Sequence, residues 1–237
     1  MTSLYPIFIN MDGFQCLVIG GGKVALRKIG GLLGTGAKIK VSAPYICPKI
    51  MSLAAEGFLE ILNPEKAMLK MDKNDKDVQL YHKMEEKELD STKLCYIATD
   101  NQEENKRLAL LCRKKGILYN VIDSDAPVAG GFSVPSTRTK GDLQIAVCSQ
   151  GNPSASMAAA DLIIENFSEN IIEYFLYTGI VRKKMKNEIA DKELRQQIMR
   201  KLHDKSQIEL CMQDLEVAKK KALHIVEISK QINNKSH

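Results

Sequence analysis

"CLVIGGGKVALRKIGGLL", residues 16–33, sets an apolar run against three consecutive glycines and follows them with apolar residues at helical intervals. Glycines in a row end a strand, and no packed core requires them. Gly20-Gly21-Gly22-Lys23-Val24-Ala25 fits G-x-G-x-x-G/A in its proper setting, after a strand and before a helix. In that motif the first glycine allows a tight turn and the second lets a pyrophosphate approach the backbone. The small third position, here Ala25, lets helix and strand pack closely. Amide groups and the positive end of the helix dipole then face the phosphates. The stretch therefore predicts a dinucleotide-binding turn, with a merely structural glycine turn as the competing account. The acidic residue expected about 20 positions on, to hold an adenine ribose, is missing, because the sequence there reads Val41-Ser42-Ala43-Pro44. Ser42 is the substitute donor, and no arginine follows closely to read a 2′-phosphate, which favours NAD over NADP.

Working outward, short apolar runs alternate with helical periodicity. Strands are predicted over 5–9, 14–20, 38–43, 58–62, 93–99 and 117–123, with Asp12-Gly13 as a turn between the first two. Helices are predicted over 23–34, around 48–56, and over 102–115, the last capped from Asp100 or Asn101. Strand and helix in alternation imply a parallel sheet covered on both faces. Residues 64–92 are charged and weakly periodic, and read as a mobile, partly helical surface excursion. Beyond Asp123 turn residues recur around two short strands, 131–135 and 143–148. From Ser154 the pattern is helical: 154–166, about 167–179, 184–203 and 207–232. The expected fold class is α/β: a Rossmann-type parallel-sheet domain (1–123), a small strand-containing segment (124–153), and a helical C-terminal domain (154–237).

Composition narrows the setting. The chain has 237 residues, 44% apolar and 27% charged, with a formal net charge of +5. Basic stretches such as Arg182-Lys-Lys-Met-Lys186 and Lys219-Lys-Lys221 lack interleaved aromatics, so they read as solvated helix faces and not as a nucleic-acid surface. Six scattered cysteines without a CxxC pair predict a reducing, cytoplasmic setting. The opening "MTSLYPIFINMDG" does not read as a signal peptide, and no apolar run reaches the ~18 residues of a membrane helix.

The four histidines (82, 203, 224 and 237) fall in the charged excursion, the terminal helices or the tail, away from the strand ends that meet the glycine loop. The commonest proton carrier is thus missing from the expected site, and no His/Cys spacing matches a metal motif. Carboxylates at strand C-termini remain. Asp100 follows "CYIAT" and opens a helix, where capping explains it better than chemistry. Asp123 follows "LYNVI", precedes no obvious helix, and is the better candidate for chemistry, with a turn role as its alternative.

"GGGKVALRK", "ATD…EN", "NVID" and "AVCSQGNPSA" occur in that order. With them the chain closely resembles the amino-terminal module of siroheme synthases, the precorrin-2 dehydrogenase / sirohydrochlorin ferrochelatase family, from Tyr5 to about residue 165. The resemblance implies NAD-dependent oxidation of precorrin-2 to sirohydrochlorin and, in some members, insertion of ferrous iron to give siroheme. It also implies a homodimer formed through the middle segment, 124–153. Its cofactor positions fall on Lys23 and Val24, and on Pro44 and Tyr45. With the motif and strand-end residues, the expected cofactor set is Gly20, Gly21, Gly22, Lys23, Val24, Ser42, Pro44, Tyr45 and Thr99. The family's key carboxylate falls on Asp123, the residue that elimination also favours. Ser149, a phosphorylation site in some members, and Asn120 are the expected substrate contacts. Hydride would leave the macrocycle for the nicotinamide while a carboxylate takes the ring proton. A polycarboxylate substrate nearby should raise that carboxylate's pKa and poise it as a base. The macrocycle's own nitrogens would ligate iron, so no protein metal site is expected.

Two other classes compete: a non-catalytic NAD-sensing regulatory domain, and a tetrapyrrole-binding chaperone. The former typically carries the acidic residue that is lacking after the second strand here. The latter would dispense with a functional glycine loop.

Overall fold

Alternate residues of strand β1, Gln15–Ile19, are buried on opposite sides: Cys16 and Val18 join one apolar cluster, Leu17 and Ile19 another. Two-sided burial marks the centre of a parallel sheet covered by helices. The computed structural model describes residues 4–63, 68–69, 84–122, 131–149 and 151–235. It divides into two compact units, Met1–Val134 and Pro135–His237.

In the first unit β1 leads into α1 (Lys23–Leu32), β2 (Lys38–Ser42), a two-residue β3 (Tyr45–Ile46), α2 (Pro48–Ala55) and β4 (Glu60–Ile61). After β5 (Met68–Leu69) and a 3-10 turn at Glu86–Leu89 come β6 (Leu94–Ile97), α3 (Gln102–Lys115) and β7 (Leu118–Val121). The main sheet runs β4-β2-β1-β6-β7, with every pairing parallel. This is the doubly wound order, and its reversal beside β1 creates the crevice where such sheets take ligands. Helices α1 and α2 cover one face through Ile29, Leu32, Ile50 and Leu53; α3 covers the other through Leu108, Ala109 and Cys112. Helix α3 ends where Gly116 turns left-handed at φ 68°, a conformation that costs glycine no steric strain.

The structure departs from the sequence expectation in three places here. Residues 5–9 form no strand; Tyr5 and Phe8 stand exposed, because this apolar run finds no ladder among the described residues. Strand 131–135 is reduced to one bridge, Gly131 to Tyr119, with the Phe132 N–H donating to the Tyr119 carbonyl at 2.9 Å. Pro135, lacking an N–H, blocks its continuation. Third, β3 pairs in parallel with β5 in a sheet of its own, Tyr45 opposite Met68. Most of the expected surface excursion, including His82, lies outside the described residues.

In the second unit, β8 (Ser136–Lys140) and β9 (Leu143–Val147) form an antiparallel hairpin, turned at Gly141-Asp142 with Gly141 at φ 55°. Helices α4 (Pro153–Glu165), α5 (Glu169–Glu188), α6 (Lys192–Leu202), α7 (Lys205–Gln213) and α8 (Leu215–Lys235) follow. Ser168, Asp191 and Asp204 each cap a helix with a side-chain oxygen. The single helix expected over 207–232 is two, since the Asp214 carboxylate accepts from Val217 N and starts a new one. Tyr174, Met185, Ile198, Leu202 and Cys211 form the core of α5–α8. No helix among the described residues is long and apolar enough to cross a membrane.

Candidate functional site

The turn from β1 to α1 lies at the sheet's crevice, and its three glycines have three separate reasons. Gly20 has φ 127°, and its N–H donates to the Ser42 carbonyl at 2.9 Å. A Cβ there would sit 2.8 Å from the Ala98 carbonyl carbon, so the chain can pass between the ends of β2 and β6 only without a side chain. Gly21 is buried against β3: a Cβ would collide with the Tyr45 carbonyl oxygen and lie 2.9 Å from Ile46 Cα. Its carbonyl accepts from Cys47 N at 2.9 Å. Gly22 meets nothing within 4 Å and caps α1 without any side-chain hydrogen bond. Two glycines thus serve packing within the protein, and the third faces open space.

That space is a cavity of about 250 Å³ floored by Ile19 and the three glycines. One wall is Ser42, Pro44 and Tyr45; the other is Ala98, Thr99 and Asp100. The first turn of α1 carries no acidic side chain to repel an anion. The open Cβ direction at Gly22 and these uncapped amides are what a pyrophosphate against the backbone requires. The residues present therefore fit a dinucleotide.

The structure brings Gly20, Gly21, Gly22, Ser42, Pro44, Tyr45 and Thr99 together around one cavity. Lys23 and Val24 head α1 beside it without lining it. Thr99 is committed inward: its hydroxyl donates to Asn105 Oδ1 at 2.5 Å, while Asn105 Nδ2 returns a bond to the Thr99 carbonyl at 3.0 Å. It also accepts from Asn101 N, so the turn between β6 and α3 is tied on three sides. Asn101 is the helix cap, its Oδ1 accepting from Glu104 N at 3.0 Å. Of the two caps the sequence offered, Asp100 and Asn101, the structure uses Asn101, and Asp100 lines the cavity. Glu104, also on the rim, is gripped by Arg107 through two nitrogens at 2.6 and 2.7 Å, which holds the guanidinium above its ordinary pKa.

The expected substrate contacts stand elsewhere. Asn120 on β7 donates through Nδ2 to the Phe132 carbonyl at 2.9 Å, fastening residues 131–133 to the sheet edge. Ser149 belongs to the second unit, at the entrance to α4, where its hydroxyl donates to the Asn152 carbonyl and lies 2.7 Å from Ser156 Oγ. Asp123 lies outside the described residues. Sequence reasoning missed Cys47 and Met84, which complete the cavity lining, and missed the packing role of Gly21. The only sequence signal for the latter was the short Tyr45-Ile46 run ahead of Pro48.

A family model described as "Putative NAD(P)-binding" matches residues 7–136, more than half of the chain. The chain belongs to that family. Its similar proteins include siroheme synthases. It is 29% identical over 222 residues to the siroheme synthase of Thioalkalivibrio sulfidiphilus, covering 92% of this chain and 41% of that protein. The siroheme synthase of Chromobacterium violaceum is 35% identical over 148 residues, 62% of this chain and 27% of that one. The chain thus spans less than half the length of these curated relatives. A solved structure of SirC, precorrin-2 dehydrogenase, superposes with a TM-score of 0.67 at 22% identity, covering 94% of this chain and 99% of that chain. That likeness establishes a shared fold, and the residues lining the cavity at the glycine loop all lie within the matched stretch, 7–136.

Proposed function

We propose that this protein is an NAD-dependent dehydrogenase of siroheme biosynthesis that converts precorrin-2 to sirohydrochlorin. The carrying observation is Gly22, a glycine that no protein atom requires, opening onto a cavity at the sheet's switch point. The names of the similar proteins supply the substrate class.

Bound at this cavity, NAD supplies a hydride acceptor. Gly20 and Gly21 hold the loop's path; Gly22 and the first amides of α1 would hold the pyrophosphate, and Ser42, Pro44 and Tyr45 would contact the ribose. The absence of an arginine after Ser42 favours NAD over its 2′-phosphate. The substrate gives up a hydride and a proton, and Asp123, two residues beyond the end of β7, takes the proton. Asn120 and Ser149 are assigned to the substrate, and segment 124–153 to a homodimer contact.

Incubation with precorrin-2 and NAD, followed by absorbance, tests the assignment. The expected product is sirohydrochlorin, and Asp123→Ala keeps NAD binding while losing oxidation. Ferrous iron added in a second step separates a dehydrogenase, which stops at sirohydrochlorin, from a bifunctional enzyme that proceeds to siroheme. NAD binding with no oxidation of precorrin-2 by the unaltered protein would replace the enzyme with an NAD-sensing domain.

A further inference from the structure

The Arg182–Lys186 stretch, read from sequence as a solvated face, sends its cations in different directions in the structure. Lys184 turns to Glu188, its ion-pair partner at 3.7 Å. Arg182 and Lys186, one helical turn apart on α5, instead line a cavity of about 520 Å³ opposite Lys192, Arg195 and Arg200 of α6. Gln196 and Met199 complete it, and no carboxylate is among its lining residues. Several other cations of the same unit are matched by anions: Lys219 with Glu173 and Glu216, Lys140 with Glu169, Arg138 with Asp161. Among the described residues, Arg182, Lys186, Lys192 and Arg200 enter no ion pair. Arg195 spends one nitrogen on the carbonyls of Ile189 and Ala190, at 2.5 and 2.8 Å, which locks the turn joining α5 to α6 and fixes the cavity's end.

Five cations converging on one concavity repel one another unless an anion sits between them. The volume lies within the range of small-molecule sites, about 300–1,000 Å³, in an open concavity whose lysines and arginines, apart from the half-buried Arg195, are exposed. Arginine forks match carboxylate or phosphate oxygens bidentately, while Met199 offers an apolar surface to the body that carries them. We infer that the α5–α6 cavity binds a small, multiply charged oxyanion, a polycarboxylate or a polyphosphate. This goes beyond the dinucleotide site, which lies in the other unit, and stands whether or not the protein oxidises precorrin-2.

The test uses full-length protein labelled with 13C at methionine methyls, the Met199 signal being assigned by its loss in Met199→Leu. Mellitate, a benzene hexacarboxylate, and inorganic tripolyphosphate are titrated separately at low salt. The expected result is a saturable shift of the Met199 methyl, weakened by added salt. Arg182→Gln with Arg200→Gln should lower the affinity by about tenfold or more, while NAD affinity and the circular dichroism spectrum stay as in the parent. Tighter binding of mellitate identifies the natural ligand as a carboxylate carrier, and tighter binding of tripolyphosphate as a phosphate carrier. The inference is overturned if neither probe moves Met199, or if the double variant, still folded, binds as the parent does.

Discussion

Adding one methyl group to Gly21 and one to Gly22 should have opposite consequences, although the two are neighbours. A Cβ on Gly21 stands 2.9 Å from both the Tyr45 carbonyl carbon and Ile46 Cα. Carbon atoms rest at about 3.5–4.0 Å, so in Gly21→Ala β3 must retreat by roughly 1 Å. The retreat stretches the bond from Cys47 N to the Gly21 carbonyl, 2.9 Å in the native turn. Overpacking costs about 1–3 kcal/mol and a lost hydrogen bond about 1, together roughly 2–4 kcal/mol. In a unit of this size that lowers the melting temperature by on the order of 10 °C. Gly22→Ala meets no atom within 4 Å, and its φ of −89° suits any residue. Its cost is a poorer helix cap, about 0.5–1 kcal/mol. Its methyl, however, stands where the proposed site would take the pyrophosphate, so NAD affinity should fall by about tenfold or more. Thermal melting and titration calorimetry with NAD separate the two outcomes. A Gly21→Ala protein that melts with the parent, or a Gly22→Ala protein that binds NAD as the parent does, refutes this division of labour.

Thr99→Val should destabilise the first unit by about 1–3 kcal/mol in urea unfolding, because Asn105, 7% exposed, loses the donor that satisfies its Oδ1. Thr99→Ser, which keeps the hydroxyl, should recover most of that loss. Burial pushes the Cys16 thiol from its ordinary 9.0 up to about 11. Between those values the unfolded chain releases a proton that the folded chain retains, so stability falls as pH rises through that window. Cys16→Ala should flatten this alkaline slope in urea titrations from pH 8.5 to 11, and an unchanged slope would remove Cys16 as a cause.

The glycine turn and the strand–helix alternation were legible because two periods, 2 and 3.6, switch at Gly20–Gly22 and both faces of β1 must be apolar. Residues 5–9 misled because an apolar run records only a tendency to extend, whereas a strand needs an edge to pair with. The hairpin was partly visible. Gly141-Asp142 between "STRTK" and "LQIAV" is a two-residue turn signal, but β8 is polar and alternates without a clear apolar face, so the eye falls on "GFSVP" instead. Of the site, the glycines could be read from their spacing. The closeness of Tyr45 to Gly21 could not, since it depends on a two-residue strand meeting a partner 23 positions away. Thr99 follows the end of β6, and its bonds to Asn101 and Asn105 depend on how α3 begins; the choice of cap between Asp100 and Asn101 is a one-residue matter that composition does not resolve.

The clasp between Gly21 and Tyr45 bears on how cofactor preference could be re-engineered. Under the proposed cofactor site, residues 42–45 are the place to introduce an acidic or basic side chain for ribose selection, and point changes there leave the main-chain path alone. A transplanted segment of different length would not, since Tyr45 and Cys47 must return to the same glycine. Redesign of this stretch is therefore confined to exchanging side chains at constant length.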